Sequence, residues 1–116
     1  MDLNYTEKKL YQAVLSLTGE GTIRFRLIGA AKDLLELKAD DFPDDGLRGR
    51  FSELGRKLTK VKPEREEGSI QASVFAMSED EASALAEEIV SIYADLAHRD
   101  PLNLYHSAPT KEPEFH

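Results

Sequence analysis

Thr22-Ile23-Arg24-Phe25-Arg26-Leu27, running on into Ile28-Gly29-Ala30-Ala31-Lys32-Asp33-Leu34-Leu35-Glu36-Leu37, has two readings, and the choice sets the fold class. Ile23 to Leu27 alternates apolar and charged residues, as a half-buried strand does. Yet Ile23, Leu27, Ala31, Leu34 and Leu35 also recur at helical steps, and residues 30–37 are mostly strong helix formers. A lone strand finds no partner elsewhere in this chain. The stretch therefore reads as helix, with Thr22 as its cap. The fold class that follows is all-α: a compact single-domain bundle of four main helices plus one short helix.

The flanking segments support that choice. Residues 78–98 carry Ala82, Leu85, Ala86, Ile89, Ile92, Tyr93 and Leu96 at three- and four-residue steps, one stripe on a 3.6-residue helix. Ser78 and Glu81 make a capping box, in which each side chain satisfies an amide orphaned at the helix start. Glu79, Asp80, Glu87, Glu88 and Asp95 line the opposite face. A first helix is expected over residues 5–17, capped by Asn4 with Glu7 or by Thr6 alone, and stopped with Gly19 in the left-handed conformation. A third is expected over residues 46–61, capped by Asp44 or Asp45, with Leu47, Phe51, Leu54, Leu58 and Val61 as its seam. Gly49 and Gly55 weaken its propensity and are expected to admit a close neighbouring helix. Ser69 is expected to cap a short helix through Met77, with Ile70, Val74 and Met77 inward and a bend at Ser78. Pro43 disfavours helical geometry at Phe42, which is expected to plug the end of the core. The predicted core contains Leu10, Val14, Leu17, Leu27, Ala31, Leu34, Phe51, Leu54, Leu58, Val74, Leu85, Ile89 and Tyr93. Residues 1–98 form the expected bundle domain. Residues 99–116 form a partly disordered tail in which Leu102, Leu104 and Tyr105 can fold back onto the bundle.

Composition narrows the function classes. A chain of 116 residues with 41% hydrophobic and 32% charged residues fits one globular domain. Its formal charge of -7 opposes broad binding to nucleic acid or anionic membrane. It has no cysteine, which removes disulfides, thiolate metal sites and thiol nucleophiles. No apolar run approaches the roughly 20 residues of a membrane span, and residues 1–5 lack the pattern of a signal peptide. The expectation is a bacterial cytoplasmic protein with no membrane partner.

No catalytic constellation survives inspection. His98, His106 and His116 lie at or beyond the end of the last helix, where the dipole alone favours His98. An EF-hand alignment starting at Asp41 puts Pro43 at the third ligand and Ser52 at the twelfth, so Asp40 to Gly46 reads as a cap and a solvated loop. No Glu-x-x-His motif supplies a bundle metal site. Neither a cofactor nor a metal is expected.

Charge segregation is the most distinctive feature. Arg48, Arg50, Arg56, Lys57, Lys60, Lys62 and Arg65 cluster on and after the third helix, with Glu53 and Glu64 among them. The cluster can complement the acidic last helix as a solvated face, or receive an acidic partner. Arg48, Arg56, Lys57 and Lys60 are the candidate partner-binding residues. A nucleic-acid role for the basic helix over residues 46–61 is the alternative. It is weakened because no aromatic residue interleaves the cations on their own face for base stacking, and because the eight-residue connector at 38–45 is too long for a helix-turn-helix.

Thr22-Ile23-Arg24-Phe25-Arg26-Leu27, Leu37-Lys38-Ala39-Asp40-Asp41-Phe42-Pro43, Leu58-Thr59 and Gly68-Ser69-Ile70-Gln71-Ala72 resemble segments of a group of small uncharacterised all-helical bacterial proteins. The resemblance spans residues 6–98 and rests on caps and turns. It implies helix over residues 22–37 and carries over no activity and no site residues. The expected function is a small non-catalytic protein-interaction or regulatory module, with an acidic protein or a second copy as partner.

Overall fold

The computed structural model describes residues 3–64 and 68–99. Among them the chain forms helices and no strand: α1 (Leu3–Leu17), α2 (Ile23–Asp33), a 3-10 turn (Ala39–Asp41), α3 (Asp45–Thr59), α4 (Ser69–Ala76) and α5 (Glu79–Arg99). Of the expected tail over residues 99–116, Arg99 belongs to α5 instead, and residues 100–116, like the cation Arg65, lie outside the described residues. No helix among the described residues is long and apolar enough to cross a membrane.

The ambiguous stretch is helical from Ile23, and Thr22 caps it as the sequence predicts: its extended backbone lets Oγ1 accept the Phe25 amide at 3.2 Å. The helix is shorter than expected. It closes at Asp33, and Leu34 and Leu37 amides donate to Ala31 and Leu34 carbonyls in tight turns. Those two leucines are buried, whereas Leu35, placed in the stripe by periodicity, stands exposed. Gly21, not Gly19, takes the left-handed conformation between α1 and α2, at φ 104°. An L side chain is strained there, which makes glycine the fitting residue.

At α1 the capping expectation fails. The helix starts at Leu3, so Asn4 and Thr6 lie within it. Thr6 is buried, and its hydroxyl donates to the Asp41 carbonyl at 3.2 Å, while Glu7 is also fully buried. The first turns of α1 thus pack under the returning chain. Tyr5 Oη donates to Glu36 at 2.7 Å, and Lys9 Nζ lies 3.7 Å from the same carboxylate. That hydrogen bond, then the Lys9 charge, holds the Glu36 carboxyl below its ordinary range.

Asp44 caps α3 by accepting the Leu47 amide at 2.8 Å. Leu47, Leu54 and Leu58 are buried, with Phe51 and Val61 at the margin. Gly49 and Gly55 do not serve close approach, since a Cβ at either would meet nothing within 4 Å. They face open space, and the seam is formed by the leucines. Gly68 rather than Ser69 is the N-cap residue of α4, so Ser69 lies inside the helix. Extended backbone at Met77 then breaks the chain before α5, where the expected bend and capping box both stand. The Glu81 amide donates to Ser78 Oγ at 3.1 Å, and the Ser78 amide donates to Glu81 at 3.4 Å.

α5 packs against α1, α2 and α3. Ala82, Leu85, Ala86, Ile89, Ile92 and Leu96 of its stripe are buried, as are Leu10, Leu17, Leu27, Ala31, Leu54, Leu58 and Val74 opposite. Val14, Phe51 and Tyr93, expected in the core, sit partly exposed at its edge. Phe42 is fully buried, with its ring 4.7 Å from that of Phe51, and plugs the core end.

Candidate functional site

The charged residues of α3 meet α5 along one seam, and the helical period decides which of them do so. Arg50 and Lys57 are seven residues apart, so they project within about 20° of each other. Arg50 points at the C-terminal half of α5. Its Nε and Nη2 donate to the two Glu88 oxygens at 3.1 and 3.0 Å, Nη2 also to Ser91 Oγ at 2.8 Å, and Nη1 to Asp95. These bonds, to Glu88 first and then Asp95, raise its guanidinium pKa further above the ordinary value. A planar fork held on two carboxylates fixes the register of the helices as well as their charge balance. Beside it, Arg99 Nε lies 2.6 Å from Asp44, joining the end of α5 to the start of α3. The Asp44 carboxyl is held below its ordinary range, first by the Leu47 amide and then by Arg99.

Further along the seam the partners run out. Arg56, Lys57 and Lys60 surround a pocket of about 170 Å³ whose other walls are Met77, Glu81, Ala84 and Leu85. Arg56 places two nitrogens on Glu53 at 2.9 and 2.6 Å, and Lys57 lies 4.0 Å from the same residue. The Arg56 bonds keep the Glu53 carboxyl below its ordinary range. All three side chains are about half exposed, so water screens these pairs and an incoming carboxylate can compete for them. Glu81 already serves the Ser78 cap. One turn before Glu88, α5 presents Ala84, which offers Lys57 no carboxylate.

Of the four candidate residues, the structure gathers Arg56, Lys57 and Lys60 and leaves Arg48 apart. Arg48 sits at the other end of α3, donating to the Phe42 carbonyl at 2.9 Å and lying 3.5 Å from Asp45. Residue type alone identified the cations. The floor of Met77 and Leu85 was legible only as core, because their approach to α3 joins segments far apart in sequence.

The acidic connector does cap work. Asp41 accepts the Lys38 amide at 2.8 Å, and Asp44 is committed to Leu47 and Arg99. Among the described residues no group of three or more His, Asp or Glu side chains is arranged to hold a metal ion.

No family model, curated protein or solved structure matches this chain. Its chemistry is judged from its own residues.

A larger concavity, about 620 Å³, lies between α1, α2 and α5 and is mainly apolar, with Val14, Leu17, Ile23, Ala86, Val90 and Ala94 in its walls. Sequence reasoning did not single it out. Exposed Val90 on an otherwise polar face of α5 was the one available signal.

Proposed function

We propose that this chain is a non-catalytic protein-interaction or regulatory module that receives an acidic segment of a partner protein between α3 and α5. The observation that carries this reading is the ring of Arg56, Lys57 and Lys60 around a pocket floored by Met77 and Leu85. A carboxylate-rich segment with one apolar side chain satisfies both features. The cations steer encounter and set register, while the apolar anchor supplies desolvated contact. Glu53 and Glu81 interrupt the basic surface, and the chain as a whole carries -7. Both features favour a short acidic peptide over an extended phosphate backbone.

The test is affinity capture from native lysate with and without nuclease, comparing the parent chain with Arg56→Glu/Lys60→Glu. The expected result is a stoichiometric protein that survives nuclease and is lost with the double variant. Capture that disappears with nuclease, or that the variant retains, contradicts the reading.

A further inference from the structure

The face shared by α2 and α4 is separate from the basic pocket between α3 and α5, and what covers it does not depend on the reading above. Arg24, in the first turn of α2, donates from Nε and Nη2 to the Met77 carbonyl just after α4, at 3.2 and 2.9 Å. At the other end of the pair, Lys32 and Leu35 share the walls of a concavity with Ser69, Ile70 and Gln71. The two helices therefore run antiparallel. The concavity measures about 500 Å³ and is mainly apolar, with Ile28 beside Ile70. Phe25 is one turn before Ile28, and Phe75 one turn after Gln71, so both stand beyond the same end of it. They are 68% and 63% exposed, and Leu35 is 64% exposed. No other large apolar side chain among the described residues is as exposed. Residues 68–77 carry no charge, and apolar residues fall on every side of α4. A helix of that kind is ordinarily enclosed, yet α4 packs only on α2 and α3.

We propose that this face is covered by the same face of a second copy of the chain, about a two-fold axis passing near Ile28 and Gln71. Three observations select this occupant. The first is shape. A two-fold contact lays each end of a face on the opposite end of its mate. The projecting end, with Phe25 and Phe75, enters the concavity of the other copy, and the reciprocal contact forms with it. The second is charge. Two chains of -7 repel each other, and this face is where they approach with least repulsion, because Lys32 is the one charged residue in the concavity wall. The two-fold sets Lys32 against the aromatic pair of the other copy, a cation–π arrangement, and keeps the two lysines apart. The third is area. A phenylalanine buries roughly 150–250 Å², so the exposed parts of Phe25 and Phe75 amount to about 260 Å² in each copy. Each ring covers about as much wall as it buries, so the pair of copies removes about 1,000 Å² from water, the size at which a specific interface begins.

The test is sedimentation equilibrium of the full chain, with the helix content of each variant checked by circular dichroism. The parent is expected to show a monomer–dimer equilibrium. Phe75→Glu should raise its dissociation constant at least about 30-fold, as loss of an interface hot spot does. Leu35→Gln, at the receiving end, should weaken it in the same direction and serves where Phe75→Glu disturbs α4. The chain has no cysteine, so single-cysteine variants report which faces meet. Gln71→Cys, beside the axis, is expected to give a covalent dimer on mild oxidation, and Val90→Cys on the outer surface of α5 is not. A parent that stays monomeric at every concentration overturns the proposal and leaves the face to a different protein. Dimers that both Phe75→Glu and Leu35→Gln retain, or that Val90→Cys traps in place of Gln71→Cys, overturn it equally.

Discussion

The seam between α3 and α5 has two ends built from the same kinds of residue, and they differ in where the charges are answered. At one end Arg50 is forked onto Glu88 and Asp95 and bonded to Ser91, and Arg99 returns to Asp44. At the other, Arg56, Lys57 and Lys60 surround a small apolar-floored pocket beside Ala84, and Arg56 and Lys57 share Glu53 from their own helix. A run of cations in sequence is thus two structures in space. Helical phase aims Arg50 and Lys57 the same way, and the residue waiting on α5 decides the outcome. The first end holds the fold together. The second is the end that we propose receives a partner.

Between the two ends, the core stripe of α5 includes Ile89, which is fully buried. Ile89→Ala should cost about 2–5 kcal/mol, as large-to-small core changes do. A urea-denaturation loss below about 0.5 kcal/mol, typical of exposed sites, would show that the stripe of α5 does not face the core between the two ends.

The next largest effect separates them. Glu88→Gln/Asp95→Asn leaves Arg50 partly enclosed without its counter-charges. The expected loss is about 1–2 kcal/mol, a charged hydrogen-bond value discounted for the partial exposure of both acids. If Glu53→Gln at the open end lowers the unfolding midpoint equally, the division into a structural and a recognition end fails.

Acid should act through the depressed carboxyls. Asp44, Glu36 and Glu53 all lie below their ordinary values in the folded chain. Their stabilisation is therefore present above the unfolded-state values near 4 and is lost as pH falls through the lower folded-state values. Unfolding midpoints recorded from about pH 6 downward should fall in that window. Asp44→Asn retains a good N-cap residue but removes the charge facing Arg99, so its acid dependence should be shallower than the parent's.

Ala84→Glu should change stability least and binding most. It sets a second α5 carboxylate, beside Glu81, in the pocket wall where α5 now presents a methyl group, which answers the open end from within. Titration with an acidic peptide carrying a single leucine should show affinity for the parent and little for this variant. Equal affinity would place the recognition elsewhere.

Local chemistry was the legible part of this fold. Thr22, Asp44 and the Ser78–Glu81 box each act over three residues, and each stands where the sequence put it. The same locality explains the misses. Thr6 fits a cap by type, but its hydroxyl goes to Asp41, thirty-five positions away, because the chain after α2 folds back over α1. Gly49 and Gly55 resemble a close-packing device, yet only the position of neighbouring helices shows that they face open space. At the candidate site, cation identity was visible in sequence. That Arg48 would be held apart, and that Met77 and Leu85 would floor the pocket, depends on contacts between α3, α4 and α5 that no local pattern encodes.

Arg50 and Lys57 offer the most direct test, being cations on one helix with nearly the same direction. Arg50→Gln and Lys57→Gln should be compared by urea unfolding under identical conditions. A lower midpoint with unchanged slope is expected for Arg50→Gln, reporting lost stability without altered compactness, and an unchanged midpoint for Lys57→Gln. Equal shifts in the two variants would contradict it, because the seam would then have one character along its whole length.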